Sequence, residues 1–117
     1  MKVALCARRA ARLEALHAEI AERGGEALAV PLDLRDETSI ASAFESVRTA
    51  FGGVDVLVNS AGLGRQASFL EGETEARREM LEVNVLGLCI CTREAVADMR
   101  ARGDVGHVIH EIGRAHV

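Results

Sequence analysis

The sequence predicts an α/β fold, a Rossmann-like doubly wound parallel sheet, and three observations indicate it. Short apolar runs alternate with segments of helical period along the 117 residues. Glycine pairs follow two of the helical segments, at residues 24–25 and 52–53. The run VDVLV (54–58) stops at the small residues NSAG (59–62), where a ligand can lie on the backbone at the end of a buried strand.

The elements follow one another without a repeat or a linker, so residues 1–110 are predicted to be part of one dinucleotide-binding domain. The predicted strands are Lys2–Ala7, Glu26–Pro31, 54–58 and 106–110. The strand at 54–58 is expected to be buried on both faces. Helices are predicted at 8–23, 36–51 and 74–102. The first has an apolar stripe at Leu13, Leu16 and Ile20, and the second has Ile40, Phe44, Val47 and Phe51 on one face. Asp36 and Thr74 are the expected caps.

Composition excludes several classes of function. The net charge of −4 and an aromatic content of 3%, with no Trp or Tyr, argue against nucleic acid as a partner. No apolar run approaches the ~20 residues of a membrane span. The cysteines, Cys6, Cys89 and Cys91, form no CxxC motif, which favours free thiols in the cytoplasm. No metal site is expected, since His107 and His110 point to opposite faces of a strand.

Two arginines, Arg8 and Arg9, lie where the first strand passes into a helix. Positive charge at a helix N-terminus opposes the macrodipole, so the pair indicates that an anion binds nearby. A dinucleotide fold carries an acid at this strand end for a free ribose 2′-hydroxyl, or arginine for a 2′-phosphate. Residues 6–9 (CARR) contain no acid, and guanidinium suits phosphate. The alternative is two solvated surface arginines.

Three further polar positions interrupt the apolar pattern. Asp33 directly follows the second strand, so its carboxylate can accept from an adenine amino group while the amide of Leu34 meets a ring nitrogen. Alternatively, Asp33 begins the turn into the next helix. Asn59 places a donor and an acceptor at a strand tip. Asn84 (in EVNV) lies in mid-helix among apolar residues, where an amide on a buried face must be bonded. Alternatively, Asn84 is a structural residue whose amide is hydrogen-bonded in the core or faces solvent.

These signals, in this order, resemble the short-chain dehydrogenase/reductase family. CARR is similar to a strand end of NADP-preferring members, DL at Asp33-Leu34 resembles the adenine site, and NSAG resembles the NNAG motif with Ser60 in place of its second Asn. EVNV, with Asn84, resembles the catalytic Asn segment. The resemblance implies NADP, with NAD less favoured, and hydride transfer to or from a small carbonyl or alcohol substrate.

The resemblance also implies roles for these residues. Arg8, assisted by Arg9, would hold the 2′-phosphate, and Asp33 and Leu34 would bind adenine. Asn59, Ala61 and Gly62 would support the adenosine ribose. Asn84 would break the helix locally and hold a water in a proton relay that ends, in the family, at a Tyr beside a Lys, with a Ser that positions the substrate oxygen.

Other family features are missing from these residues. The TGxxxGxG loop, the Ser and the YxxxK pair are not found, and the chain has no Tyr. The sequence is therefore expected to be an internal fragment that lacks the first strand and the C-terminal half, with Met1 an internal residue. The family's 3-2-1-4-5 sheet would put the missing strand between Lys2–Ala7 and 54–58. The full-length protein is expected to be a homo-oligomer. A non-catalytic NADP-binding regulator on this fold is the alternative function.

The last residues, EIGRAHV (111–117), break the final strand. One back-translation, GAG ATC GGA AGA GCA CAC GTC, matches from its second base a widely used short-read sequencing adapter. We therefore expect 111–117 to be a non-native tail, and the sequence of the genomic locus tests this.

Overall fold

The computed structural model describes residues 1–64 and 68–111, with the side chain of Ala10 left aside. The expected tail lies outside the described residues except for Glu111. The chain divides into two compact units, Met1–Val54 and Asp55–Val117.

The first unit alternates two strands with two helices: β1 (Lys2–Ala7), α1 (Ala10–Glu22), β2 (Glu26–Pro31) and α2 (Glu37–Phe51). β1 pairs in parallel with β2, from Lys2 opposite Glu26 to Ala7 opposite Pro31. Both strands have the predicted bounds, because each is a short apolar run that ends where the pattern changes.

Helix α2 carries the core of the first unit. The carboxylate of Asp36 accepts a hydrogen bond from the Thr38 amide at 2.9 Å, which confirms the predicted cap. The helix ends at Gly52, whose φ of 85° is the left-handed conformation that glycine adopts readily. The core cluster consists of Val30, Ala43 and Val47, with Ala4, Leu28, Leu32, Phe51 and Val54 packed against it. Val47 and Phe51 belong both to this cluster and to the predicted apolar face of α2, which confirms that face.

Helix α1 packs along a slightly different stripe from the predicted one. Leu13 is buried, but Leu16 is 44% exposed, so its place in the stripe was wrong. His17 lies on the inner side instead, and its Nε2 donates to the Ala27 carbonyl at 2.9 Å. The inward line therefore runs through residues 13, 17 and 20, the i, i+4, i+7 spacing of a helix face.

The second unit contains β3 (Val56–Asn59), α3 (Thr74–Leu81), a π-helical turn (Glu82–Leu86), α4 (Gly87–Ala101) and β4 (His107–His110). β3 pairs in parallel with β4, from Val56 opposite His107 to Asn59 opposite His110. Helix α4 packs on β3, and its buried residues include Cys91, Ala95 and Met99.

Three predictions about the second unit were wrong. The strand begins at Val56, not Val54, because Val54 packs in the core of the first unit. Only one face of β3 is covered: Val56 and Val58 are 55% and 51% exposed, while α4 covers the other face. Thr74 is the first helical residue and not the cap, which is Glu73 without a side-chain hydrogen bond.

The parallel strands of the described residues form two separate pairs, β1-β2 and β3-β4. The alternation of parallel strands with helices confirms the predicted α/β class. The fold is a Rossmann-like one in incomplete form, as expected from the sequence.

Candidate functional site

Arg8 and Arg9 lie, as predicted, at the junction of β1 and α1. Both are exposed. Arg9 is the N-cap residue of α1, and its side chain makes no cap hydrogen bond. No acidic residue lies in the first turn of this helix. The amide groups of that turn and the two guanidinium groups therefore create a positive electrostatic potential at the N-terminus of α1.

Asp33 lies two residues after β2, in a turn that the Asp36 amide closes by donating to the Asp33 carbonyl at 3.1 Å. Its Oδ1 accepts from the Arg35 amide at 3.0 Å and from Arg35 Nε at 3.3 Å. These hydrogen bonds, the side-chain one foremost, hold the pKa of Asp33 below its ordinary value, and the charge of Arg8 lowers it further. The carboxylate both begins the turn and remains an ionised acceptor, with half-buried Leu34 next to it.

Asn59 ends β3, and its side chain links three elements. Its Nδ2 donates to Thr92 Oγ1 of α4 at 3.3 Å and to His110 Nδ1 of β4 at 3.0 Å. Thr92 in turn donates to the Leu88 carbonyl at 2.7 Å. Neither Thr92 nor His110 was predicted as a partner, because each lies more than thirty residues from Asn59 along the chain.

Ala61 and Gly62 follow Asn59 and are exposed. A Cβ built on Gly62 would meet Asn84 Oδ1 at 3.6 Å, an ordinary van der Waals distance. The backbone here is accessible, and the side chain of Asn84 lies directly beside it.

Asn84 is the central residue of the π-helical turn between α3 and α4. Its Oδ1 accepts from the Leu63 amide at 2.8 Å, and its Nδ2 donates to the Leu63 carbonyl at 2.9 Å. This pair of bonds, the Asn84 clamp, joins the helix to the connection that leaves β3. Asn84 is exposed, which is the solvent-facing alternative, and its amide is nevertheless hydrogen-bonded. The sequence offered one signal, an amide that competes with the helical backbone, but none for Leu63 as its partner.

The helix departs from α geometry at this position, since residues Glu82–Leu86 are π-helical. A π turn adds one residue to a helical turn and is frequent at functional sites. The predicted local break in the helix thus occurs around Asn84.

Within the described ranges, no group of three or more His, Cys, Asp or Glu side chains is placed to hold a metal ion. All three cysteines are free; Cys91 is buried and Cys6 and Cys89 are exposed. In the part of the chain that the structure describes, no helix is both long and apolar enough to cross a bilayer.

The predicted site residues therefore form two groups, one in each unit. Arg8 and Asp33 come within electrostatic range of each other at the carboxyl ends of β1 and β2. In the second unit, Asn84 lies beside Gly62, whereas the side chain of Asn59 faces α4 and β4.

Parallel strand pairs and polar side chains at the strand ends define an α/β protein of the Rossmann-like class. The family model described as short chain dehydrogenase matches residues 1–112, and the chain belongs to this family. The family that the order of the four motifs predicted is thereby confirmed.

Individual relatives agree with this assignment. The chain is 43% identical over 113 residues to dehydrogenase/reductase SDR family member 11 of Gallus gallus. The matched residues cover 94% of this chain and 44% of that protein. It is 42% identical over 112 residues to farnesol dehydrogenase of Aedes aegypti, covering 94% of this chain and 46% of that protein.

Solved structures agree as well. L-sorbose reductase of Gluconobacter frateurii, complexed with NADPH and L-sorbose, has a TM-score of 0.87 and 34% identity, covering 93% of this chain and 41% of that one. A metagenomic short-chain oxidoreductase in complex with NADP has a TM-score of 0.88 and 31% identity, covering 99% of this chain and 53% of that one. The chain thus spans less than half the length of the curated relatives described above.

Proposed function

We propose that this chain is part of an NADP(H)-dependent oxidoreductase that interconverts a carbonyl compound and an alcohol. The observation that carries the proposal is the Asn84 clamp in its π-helical turn, at the position of the family's catalytic Asn segment. When bound, the nicotinamide of the cofactor supplies or accepts the hydride.

The cofactor's 2′-phosphate would be held by Arg8, with Arg9 assisting. The two exposed guanidinium groups and the uncapped N-terminus of α1 fit a dianionic group, because all of them favour negative charge. Two structural relatives contain NADP(H), which supports this cofactor over NAD.

The adenine ring would lie against Asp33 and Leu34. The Asp33 carboxylate is ionised and its oxygens have lone pairs beyond those used by Arg35, so it can accept from the adenine amino group. The exposed backbone at Ala61 and Gly62, just after Asn59, would support the ribose, since no large side chain blocks an approach there.

Asn84 would hold a water of the proton relay. Each group of its amide makes one hydrogen bond to Leu63, which leaves a second lone pair on Oδ1 and a second hydrogen on Nδ2. The clamp fixes this amide in one orientation, and its exposure leaves room for a water beside it. The Tyr, Lys and Ser of the family would come from outside this chain.

The substrate class is that of a small carbonyl or alcohol. One relative is named for farnesol and another was solved with L-sorbose, so family members differ widely in the polarity of what they bind. The three free thiols support a cytoplasmic location. The end of α3 and the π-helical turn expose three apolar side chains, Leu81, Val85 and Leu86. This exposed apolar surface supports a homo-oligomer of the full-length protein.

The test uses the full-length protein encoded at the source locus, with NADPH and NADH titrated separately. We expect NADPH to bind more tightly than NADH by about tenfold or more, and Arg8→Asp to reverse the preference, because the phosphate loses its guanidinium. Arg78→Asp, which changes an exposed arginine of α3, is the matched control. Equal affinities before and after the Arg8 change would refute the assignment.

A further inference from the structure

A closed turn lies in the connection between β3 and α3. In residues 68–72, the Gly72 amide donates to the Ser68 carbonyl at 2.9 Å, and the Glu71 amide donates to Ser68 Oγ at 2.9 Å. We call this segment the apolar turn, because its two central residues are Phe69 and Leu70. The hydrogen bonds that close it use neither of those side chains.

Arg77 fixes the apolar turn to α3. Its Nη2 donates to the Ser68 carbonyl at 3.1 Å and to the Phe69 carbonyl at 2.6 Å. Its guanidinium also lies 6.0 Å from the centroid of the Phe69 ring, within the range of a cation–π contact. The turn is therefore held by its own backbone and by one helix residue.

The two apolar side chains of this fixed turn lie in solvent. Phe69 is 94% exposed and Leu70 is 93% exposed. Together they offer roughly 400 Å² at most, about half of the ~800 Å² that each partner buries in a standard protein interface. A surface of this size suits the apolar part of a small molecule better than a second protein.

The position of the turn favours a ligand of the active site. Ligands of open α/β sheets bind beyond the carboxyl ends of the strands, and the apolar turn belongs to the connection that starts at that end of β3. Arg77 precedes Asn84 by seven residues on a continuous helix, a distance of about 10 Å along the axis. The residue that holds the turn therefore lies on the same helix as Asn84, about two helical turns before it.

We infer that Phe69 and Leu70 contact the apolar, non-reacting end of the substrate and make the enzyme selective for carbonyl or alcohol substrates with a long apolar chain. This inference rests on the proposed oxidoreductase function. Arg77 is the positioning residue, since it sets the place of the turn relative to the helix that carries Asn84.

The test compares propanal with decanal as substrates of the full-length protein with NADPH. We expect the unmodified protein to have a higher kcat/KM for decanal. The double variant Phe69→Ser/Leu70→Ser should lose about tenfold or more of kcat/KM for decanal, because the chain loses its apolar contact, and less than about twofold for propanal. Leu70→Asn alone should act in the same direction with a smaller effect. Val105→Ser, which changes a 74% exposed residue ahead of β4, is the control and should affect neither substrate.

Thermal unfolding and gel filtration of the same variants separate substrate contact from protein packing. The inference requires an unchanged oligomeric state and an unfolding midpoint within a few degrees. A large fall in midpoint, dissociation of subunits, or equal losses for both aldehydes would show that the turn packs against protein, and would overturn it. Turnover of propanal as good as that of decanal by the unmodified protein would refute this inference alone. Absence of turnover with either aldehyde would refute the proposed function as well.

Discussion

Replacing Asn84 by alanine tests the site most directly. The change removes both hydrogen bonds of the Asn84 clamp, at 2.8 and 2.9 Å from the backbone of Leu63. It also removes the amide that is proposed to hold the relay water. The full-length protein should therefore lose a connection between its helix and the loop after β3, together with a polar group of the site.

The structure sets the expected size of the stability effect. A hydrogen bond contributes about 0.5–1.5 kcal/mol net, and water can replace the lost partners here because Asn84 is exposed and Leu63 only half-buried. The loss is thus about 1–2 kcal/mol, of which better helix propensity in alanine offsets up to ~0.7 kcal/mol. A net loss of about 1 kcal/mol leaves a protein of typical stability folded.

Turnover should fall far more than stability. Groups that take part in proton transfer contribute on the order of 10²–10⁴ in rate, so we expect kcat for Asn84→Ala to fall by about a hundredfold or more with little change in NADPH affinity. Steady-state kinetics, NADPH titration and denaturant unfolding of one preparation measure the three quantities. Gly64→Ala is the control, because it lies next to Leu63 but its Cβ would meet nothing within 4 Å. Unchanged kcat in Asn84→Ala would refute the relay role and leave the clamp as a purely structural feature.

Three further predictions concern stability. Gly106→Ala should lower the free energy of unfolding by about 1–3 kcal/mol, because the new Cβ would lie 2.6 Å from Met99 Cγ; Gly64→Ala, with nothing within 4 Å, should change it by less than ~0.5 kcal/mol. Denaturant unfolding checks this, and equal effects would contradict it. Asp33→Asn should remove a stabilisation that is small because the carboxylate is 37% exposed. Since the folded pKa of Asp33 is lowered, this stabilisation is full above the ordinary pKa of about 4 and is lost as the pH falls through the folded pKa. A difference in unfolding free energy that persists at about pH 2 would argue against it. The isolated 117-residue chain should show neither cooperative thermal unfolding nor saturable NADPH binding, because each described strand pairs with a single partner; a purified chain that does both would disprove this.

The local elements of the first unit could be predicted from the sequence. Lys2–Ala7 and Glu26–Pro31 have the expected bounds, and α2 has the expected cap at Asp36 and the expected buried face. These features depend on residues close together in the chain, such as a helix that ends at a glycine or a carboxylate two residues before the amide that it caps. The order of the four motifs was also enough to indicate the family.

The features that only the tertiary structure decided depend on partners far apart in the chain. The choice of Leu63 as the partner of Asn84 spans 21 residues, and that of His110 as the partner of Asn59 spans 51. No periodicity or local spacing encodes such pairs, because they form only when packing brings two segments together. The exposed face of β3 has the same origin, since burial depends on which elements cover a strand and not on its composition. The sequence by itself determined the class, the family and the positions of the candidate residues, while packing decided the direction in which their side chains point.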